Sequence, residues 1–147
     1  MFYIEYNVIE SGWAIVRIGN NETSIKMSVS YLNVSLKELA KSAIDLKKST
    51  FEEIVFMDEP GEHILLLNRK NDTRIEYELR WYSEYDSWSS INEDNFTLEL
   101  KGEMTMVKYE NQVRNILMGI LSEMNLEEYK ERWINHQFPI DEYNFLK

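Results

Sequence analysis

The chain has 147 residues, 44% of them apolar and 13% aromatic, a composition that excludes an intrinsically disordered protein. It carries 16 basic and 26 acidic residues, a net charge of −10, and no cysteine, so disulfides, thiolate nucleophiles and Cys-based metal sites are excluded together. No uncharged apolar run nears the roughly 18 residues of a membrane span, and the acidic start MFYIEYNVIE reads as a strand rather than a secretory signal.

Phe2, Ile4, Tyr6 and Val8 alternate with polar neighbours and predict a first strand, followed by a turn at Ser11-Gly12 and a second strand from Trp13 to Ile18. Gly19-Asn20-Asn21 is a hairpin signal, because Gly and Asn tolerate positive φ. A third strand follows, with Ile25, Met27, Val29 and Tyr31 on its apolar side. Ser35-Leu36-Lys37-Glu38 has the pattern of a capping box, and Leu36, Leu39, Ala40, Ala43 and Ile44 form one apolar stripe of a helix running toward Lys47-Lys48.

From Phe51 to Trp81 three strand-like runs are joined at Glu59-Pro60-Gly61-Glu62 and at Lys70-Asn71-Asp72. The last run is the cleanest amphipathic strand in the chain, with Ile75, Tyr77, Leu79 and Trp81 opposite Arg74, Glu76, Glu78 and Arg80. A polar connection from Ser83 to Asn95 leads to a seventh strand in which Phe96, Leu98, Leu100, Met104 and Met106 share one parity, with a kink or bulge expected at Gly102. Tyr109, Val113, Ile116, Leu117, Ile120 and Met124 mark an amphipathic helix. Asn125 with Glu128 opens a shorter one, Leu126 to Trp133, and Pro139 suits the start of a final helical turn.

The predicted order is βββ-α-ββββ-α-α. Nearly every link between strands is of hairpin length, so antiparallel pairing dominates. The expected fold is α+β: a single layer of about seven strands with helices on one face, forming one domain over residues 1–147.

Residues 1–50 hold six Lys/Arg and five Asp/Glu, residues 51–100 four and thirteen, and residues 101–147 six and eight. The acid excess therefore lies in the middle third. Such a field repels nucleic acid and anionic lipid and favours basic partners at low salt; the competing reading is solubility alone. The connection from Tyr82 to Asn95 sets aromatic residues among carboxylates, a pairing suited to an interface with a basic protein. The candidate partner-binding residues are Glu59, Glu62, Tyr82, Glu84, Tyr85, Asp86, Trp88, Glu93 and Asp94.

Catalytic signatures are absent from the sequence. The two histidines, His63 and His136, have no metal-ligand spacing, and a lone His beside a turn reads as a surface or capping residue. The five glycines stand singly, so there is no phosphate cradle, and no Gly-x-Ser-x-Gly occurs. Glu76 with Glu78, and Glu59 with Glu62, form carboxylate pairs that read as solvated. No catalytic, metal or cofactor residue is assigned.

Gly12-Trp13-Ala14, Val29-Ser30-Tyr31-Leu32, Glu59-Pro60-Gly61-Glu62 and Tyr129-Lys-Glu-Arg-Trp133 with Phe138-Pro139 together resemble a family of small uncharacterised bacterial proteins. The resemblance covers most of the chain and implies an immunity-like role beside a bacterial toxin. The expected function is thus non-enzymatic binding of another protein, in the cytoplasm, without nucleic acid or membrane. The alternative is a small-molecule binder or enzyme with a pocket between sheet and helices, where His63, Arg17 or Tyr77 would converge. Self-association through an exposed sheet edge is a third reading.

Overall fold

The computed structural model describes residues 2–31, 34–58, 60–83, 96–134 and 136–147. Its strands are β1 (Tyr3–Val8), β2 (Trp13–Gly19), β3 (Ser24–Ser30), β4 (Phe51–Asp58), β5 (Gly61–Arg69), β6 (Arg74–Tyr82) and β7 (Thr97–Thr105). Its helices are α1 (Ser35–Asp45), α2 (Met106–Glu123), α3 (Leu126–Arg132) and α4 (Ile140–Leu146). The α+β class and the order follow the expectation, with Ile140–Leu146 adding a third helix after β7. Hydrogen bonding divides the seven strands into two antiparallel sheets, β1-β2-β3 and β4-β5-β6-β7. The helical connection α1 separates them.

Local chemistry sets the hairpins. The Asn20 side-chain oxygen accepts from the backbone N–H of Glu22 at 2.9 Å and of Thr23 at 3.0 Å, and Asn71 does the same for Thr73 and Arg74. Each Asn holds its loop in a turn before any strand pairing is counted. Tighter packing explains Gly61. A Cβ there would run into the carbonyl oxygen of Tyr82 and lie 2.9 Å from the Trp81 ring.

One contiguous apolar core takes residues from both sheets and all four helices. The alternation read from the sequence places them: Ile4, Tyr6, Val16, Ile18, Met27 and Val29 are buried from the first sheet, and Ile54, Phe56, Leu65, Leu67, Ile75, Tyr77 and Leu79 from the second. Each large apolar side chain so buried contributes about 1.5–3 kcal/mol. The opposite faces carry Glu5, Arg17, Lys26, Glu53 and Glu76, all exposed.

Two local readings change in the structure. The capping box does not form, because both of its members have other partners. The Ser35 hydroxyl lies 2.7 Å from the buried Tyr6 hydroxyl, while Glu38 Oε1 accepts from the Val55 N–H at 2.8 Å, tying α1 to β4. At α3 the cap is present: Asn125 Oδ1 accepts from the Glu128 N–H at 2.9 Å. The irregularity of β7 also falls elsewhere than Gly102. Leu100 pairs with Leu79 but Leu98 pairs with Arg80, so Glu99 is the extra residue of a bulge. Leu98 consequently turns outward and is 47% exposed, while Leu100 is buried. Gly102 instead makes room for Tyr77, whose hydroxyl would lie 2.7 Å from a Cβ there.

Candidate functional site

The four-stranded sheet has two chemically different ends. At the β5–β6 turn the cations of the middle third are paired: Lys70 Nζ lies 3.2 Å from Glu76 and 3.6 Å from Glu103, and Arg74 lies 3.6 Å from Glu103. These pairs are exposed and contribute little to stability. Farther along β6, Arg80 Nε donates to Glu78 at 2.9 Å and its guanidinium stacks 4.1 Å above the centre of the Phe96 ring. Arg69 donates to the Lys47 carbonyl at 3.1 Å. All four cations of residues 51–100 are thus committed to local partners.

The other end, where β4 turns into β5 and where β6 leaves and β7 enters, collects carboxylates around one imidazole. His63 shares its parity with Leu65 and Leu67 and therefore points to the core side of β5, stacked at 4.7 Å on Trp81. It is buried, with 5% of its surface exposed, so it is not the surface residue that its neighbourhood in the sequence predicts. Its Nε2 lies 3.3 Å from Glu99 Oε1 and its Nδ1 3.6 Å from Asp58 Oδ2. An ionised carboxylate only accepts, so the hydrogen bond to Glu99 puts the proton on Nε2. That leaves Nδ1 bare, buried and, among the described residues, without a hydrogen-bond partner.

The bulge at Glu99 builds this contact. In an unbroken ladder Glu99 would face away from the side on which Leu100 is buried; the extra residue turns it toward His63. Burial lowers the pKa of His63, opposed by Glu99 and then Asp58. Burial raises the pKa of Asp58, opposed by His63. Desolvation thus outweighs attraction on both partners. The two carboxylates straddle opposite nitrogens of the ring instead of converging on a point, and among the described residues no group of His, Asp and Glu side chains is arranged to hold a metal ion.

Of the partner-binding candidates, Glu59, Glu84, Tyr85, Asp86, Trp88, Glu93 and Asp94 lie outside the described residues. Glu62 and Tyr82 are described, and both are buried, at 0% and 5% exposure. Glu62 lies in a cross-strand row between Met57 of β4 and Tyr82 of β6, so it does not have the solvated setting that its place beside a turn predicts. The Tyr82 ring packs 5.6 Å from Phe96. Asp58 and Glu99 were missed as site residues. The parity of His63 with Leu65 and Leu67 was a usable signal for its burial, whereas nothing in the sequence announces a bulge at Glu99.

The residues of the alternative pocket do not converge. Arg17 is exposed on β2, Tyr77 is buried beneath Gly102, and His63 stands at the far end of β5. No helix among the described residues is long and apolar enough to cross a membrane.

These features define an α+β protein of two antiparallel sheets backed by helices, with a carboxylate-rich end on the larger sheet. No family model and no curated protein matches the chain. Among solved structures, a chain of the CdiA-CT/CdiI toxin and immunity complex from Enterobacter cloacae is similar at 13% identity and a TM-score of 0.46, covering 79% of this chain and 98% of that one. An overlap this loose says nothing about individual residues or partners.

Proposed function

We propose that this chain is a protein-binding module that masks a basic partner, in the manner of an immunity protein, through the carboxylate-rich end of its larger sheet. The observation carrying this reading is the segregation of charge. The cations of residues 51–100 are committed to local partners, while Asp58 and Glu99, each about a quarter exposed at the side chain, flank a histidine whose neutral form burial favours. In sequence, Glu59 follows Asp58, and Glu84, Asp86, Glu93 and Asp94 stand between β6 and β7. An acidic field speeds encounter with a basic surface and selects against acidic ones.

The test is a pull-down at low salt, with captured proteins identified by mass spectrometry and the complex then titrated by calorimetry. The expected partner is basic, its affinity falls as salt rises, and charge reversal at Glu84, Asp86, Glu93 and Asp94 weakens it. Recovery of no basic partner, or a complex indifferent to that reversal, overturns the reading.

A further inference from the structure

The smaller sheet ends at β1, whose outer edge pairs with no further strand among the described residues. Antiparallel pairing turns alternate backbone groups of β1 toward β2: the Ile9 N–H just beyond the strand bonds to the Trp13 carbonyl at 3.0 Å. Ile4, Tyr6 and Val8, of the other parity, therefore direct their N–H and C=O groups away from the sheet. The Ile4 N–H confirms the direction, since it donates to Gln112 Oε1 of α2 at 3.1 Å. Between this edge and α2 runs a slot of about 240 Å³, lined by residues 4–8 and by Gln112, Asn115, Gly119 and Glu123 among others.

Exposed strand edges are normally blunted by bulges, Lys, Pro or a covering element. Both edges of the larger sheet follow that rule. β7 carries the bulge at Glu99 and a lysine at Lys101. β4 has its Val55 N–H taken by Glu38. β1 has neither a bulge nor Lys nor Pro; its Ile4 N–H is taken by Gln112, as that of Val55 is by Glu38, but its register with β2 is unbroken from Tyr3 to Val8.

Gly119 is the second, independent feature. It stands in the interior of the 18-residue helix α2, where glycine is unfavourable. Among the described residues nothing lies within 4 Å of where its Cβ would be, so no contact there requires a glycine. Its missing side chain leaves room in the slot.

We propose that the β1 edge is a docking site for an extended, basic segment of a partner protein, added as a fourth strand beyond β1 and roofed by α2 at Gly119. Strand addition draws affinity from the backbone groups of Tyr6 and Val8, with the side chain of Gln112 giving way at Ile4. Charge selects the occupant. Among the described residues the slot is lined by Glu5 and Glu123 and by no Lys or Arg, so Lys or Arg on the incoming strand is favoured, and a second copy of this chain, at net charge −10, is disfavoured. The site is separate from the carboxylate-rich end of the larger sheet and stands whether or not that end binds.

The probe is a phage-displayed library of short random peptides, panned on the intact protein, with the selected peptides resynthesised and mapped by amide chemical shifts. The expected binders alternate β-branched residues with Lys or Arg, lack central proline, and shift or protect the amides of Ile4, Tyr6 and Val8. Gly119→Leu fills the slot while improving helix propensity; it should raise the melting temperature yet weaken binding about tenfold or more. Gly119→Ala should do less, and Glu123→Lys should weaken basic peptides selectively. The proposal is overturned if no peptide is selected, if Gly119→Leu binds as well as the parent, or if the shifts map to Asp58 and Glu99 instead. Only the last outcome would favour the other end of the molecule.

Discussion

His63 and Glu99 are 36 residues apart in sequence, yet Nε2 of one stands 3.3 Å from Oε1 of the other because β7 carries an extra residue at that point. The contact leaves the remaining ring nitrogen facing Asp58 without a hydrogen bond.

Stability should depend on pH through this cluster. The folded pKa of His63 is lowered from 6.5 by burial, against the pull of Glu99 and Asp58. The unfolded chain therefore binds the proton first as pH falls, and stability is lost progressively below 6.5. Asp58, raised above 3.8 by burial, acts oppositely: the folded state holds its proton longer, and stability declines as pH rises out of that range. Urea midpoints measured across a pH series should fall on acidification below 6.5, and His63→Gln should flatten that fall. An unchanged slope in the variant would assign the effect to other groups.

Gly61→Ala and Gly102→Ala should both destabilise, in that order of severity. At Gly61 the new methyl meets the backbone carbonyl of Tyr82, which cannot yield without disturbing the β5–β6 pairing. At Gly102 it meets the ring and hydroxyl of Tyr77, a side chain that can shift. Overpacking of this kind costs about 1–3 kcal/mol, with Gly61→Ala at or beyond the upper end. Tyr77→Phe should recover part of the loss at Gly102 and none at Gly61, as chemical denaturation of the four variants will show.

The Tyr6–Ser35 hydroxyl pair joins β1 to α1 inside the core. Ser35→Ala leaves the Tyr6 hydroxyl buried without that partner and should cost about 1–3 kcal/mol. The double variant Tyr6→Phe with Ser35→Ala should cost less than the two single changes together, because it removes donor and acceptor at once. Additive losses would mean that the pair is not coupled.

Tyr129→Phe should be neutral or stabilising. Its hydroxyl is buried with no hydrogen-bond partner among the described residues, and that burial raises its pKa far above that of a free phenol. Removing an unsatisfied polar atom relieves a desolvation cost while keeping the ring packed 5.4 Å from Phe138. A fall in melting temperature of several degrees would show that the hydroxyl is satisfied in solution.

What was legible in the sequence is what depends on neighbours in the chain. Period-two alternation placed Ile75, Tyr77 and Leu79 on the buried side of β6, and Asn20, Asn71 and Asn125 set two turns and a helix cap by bonding to their own backbone. The parity rule extended to His63 as well, since it points with Leu65 and Leu67. Carboxylate content likewise located the acidic third, and it did so without saying which charges were already paired.

The rest required the tertiary structure, because it turns on competition between local and distant partners. Ser35 and Glu38 have the spacing to cap their own helix, but the buried Tyr6 hydroxyl and the Val55 N–H claim them, each a group that would be costly to leave unpaired. Glu99 belongs on the outer face by alternation until one extra residue turns it inward to His63. Sequence periodicity thus determined which residues form strands and helices and which faces are apolar. Only the packing of strands against one another decided which polar groups meet, because those meetings depend on single-residue register and on burial that no local pattern records.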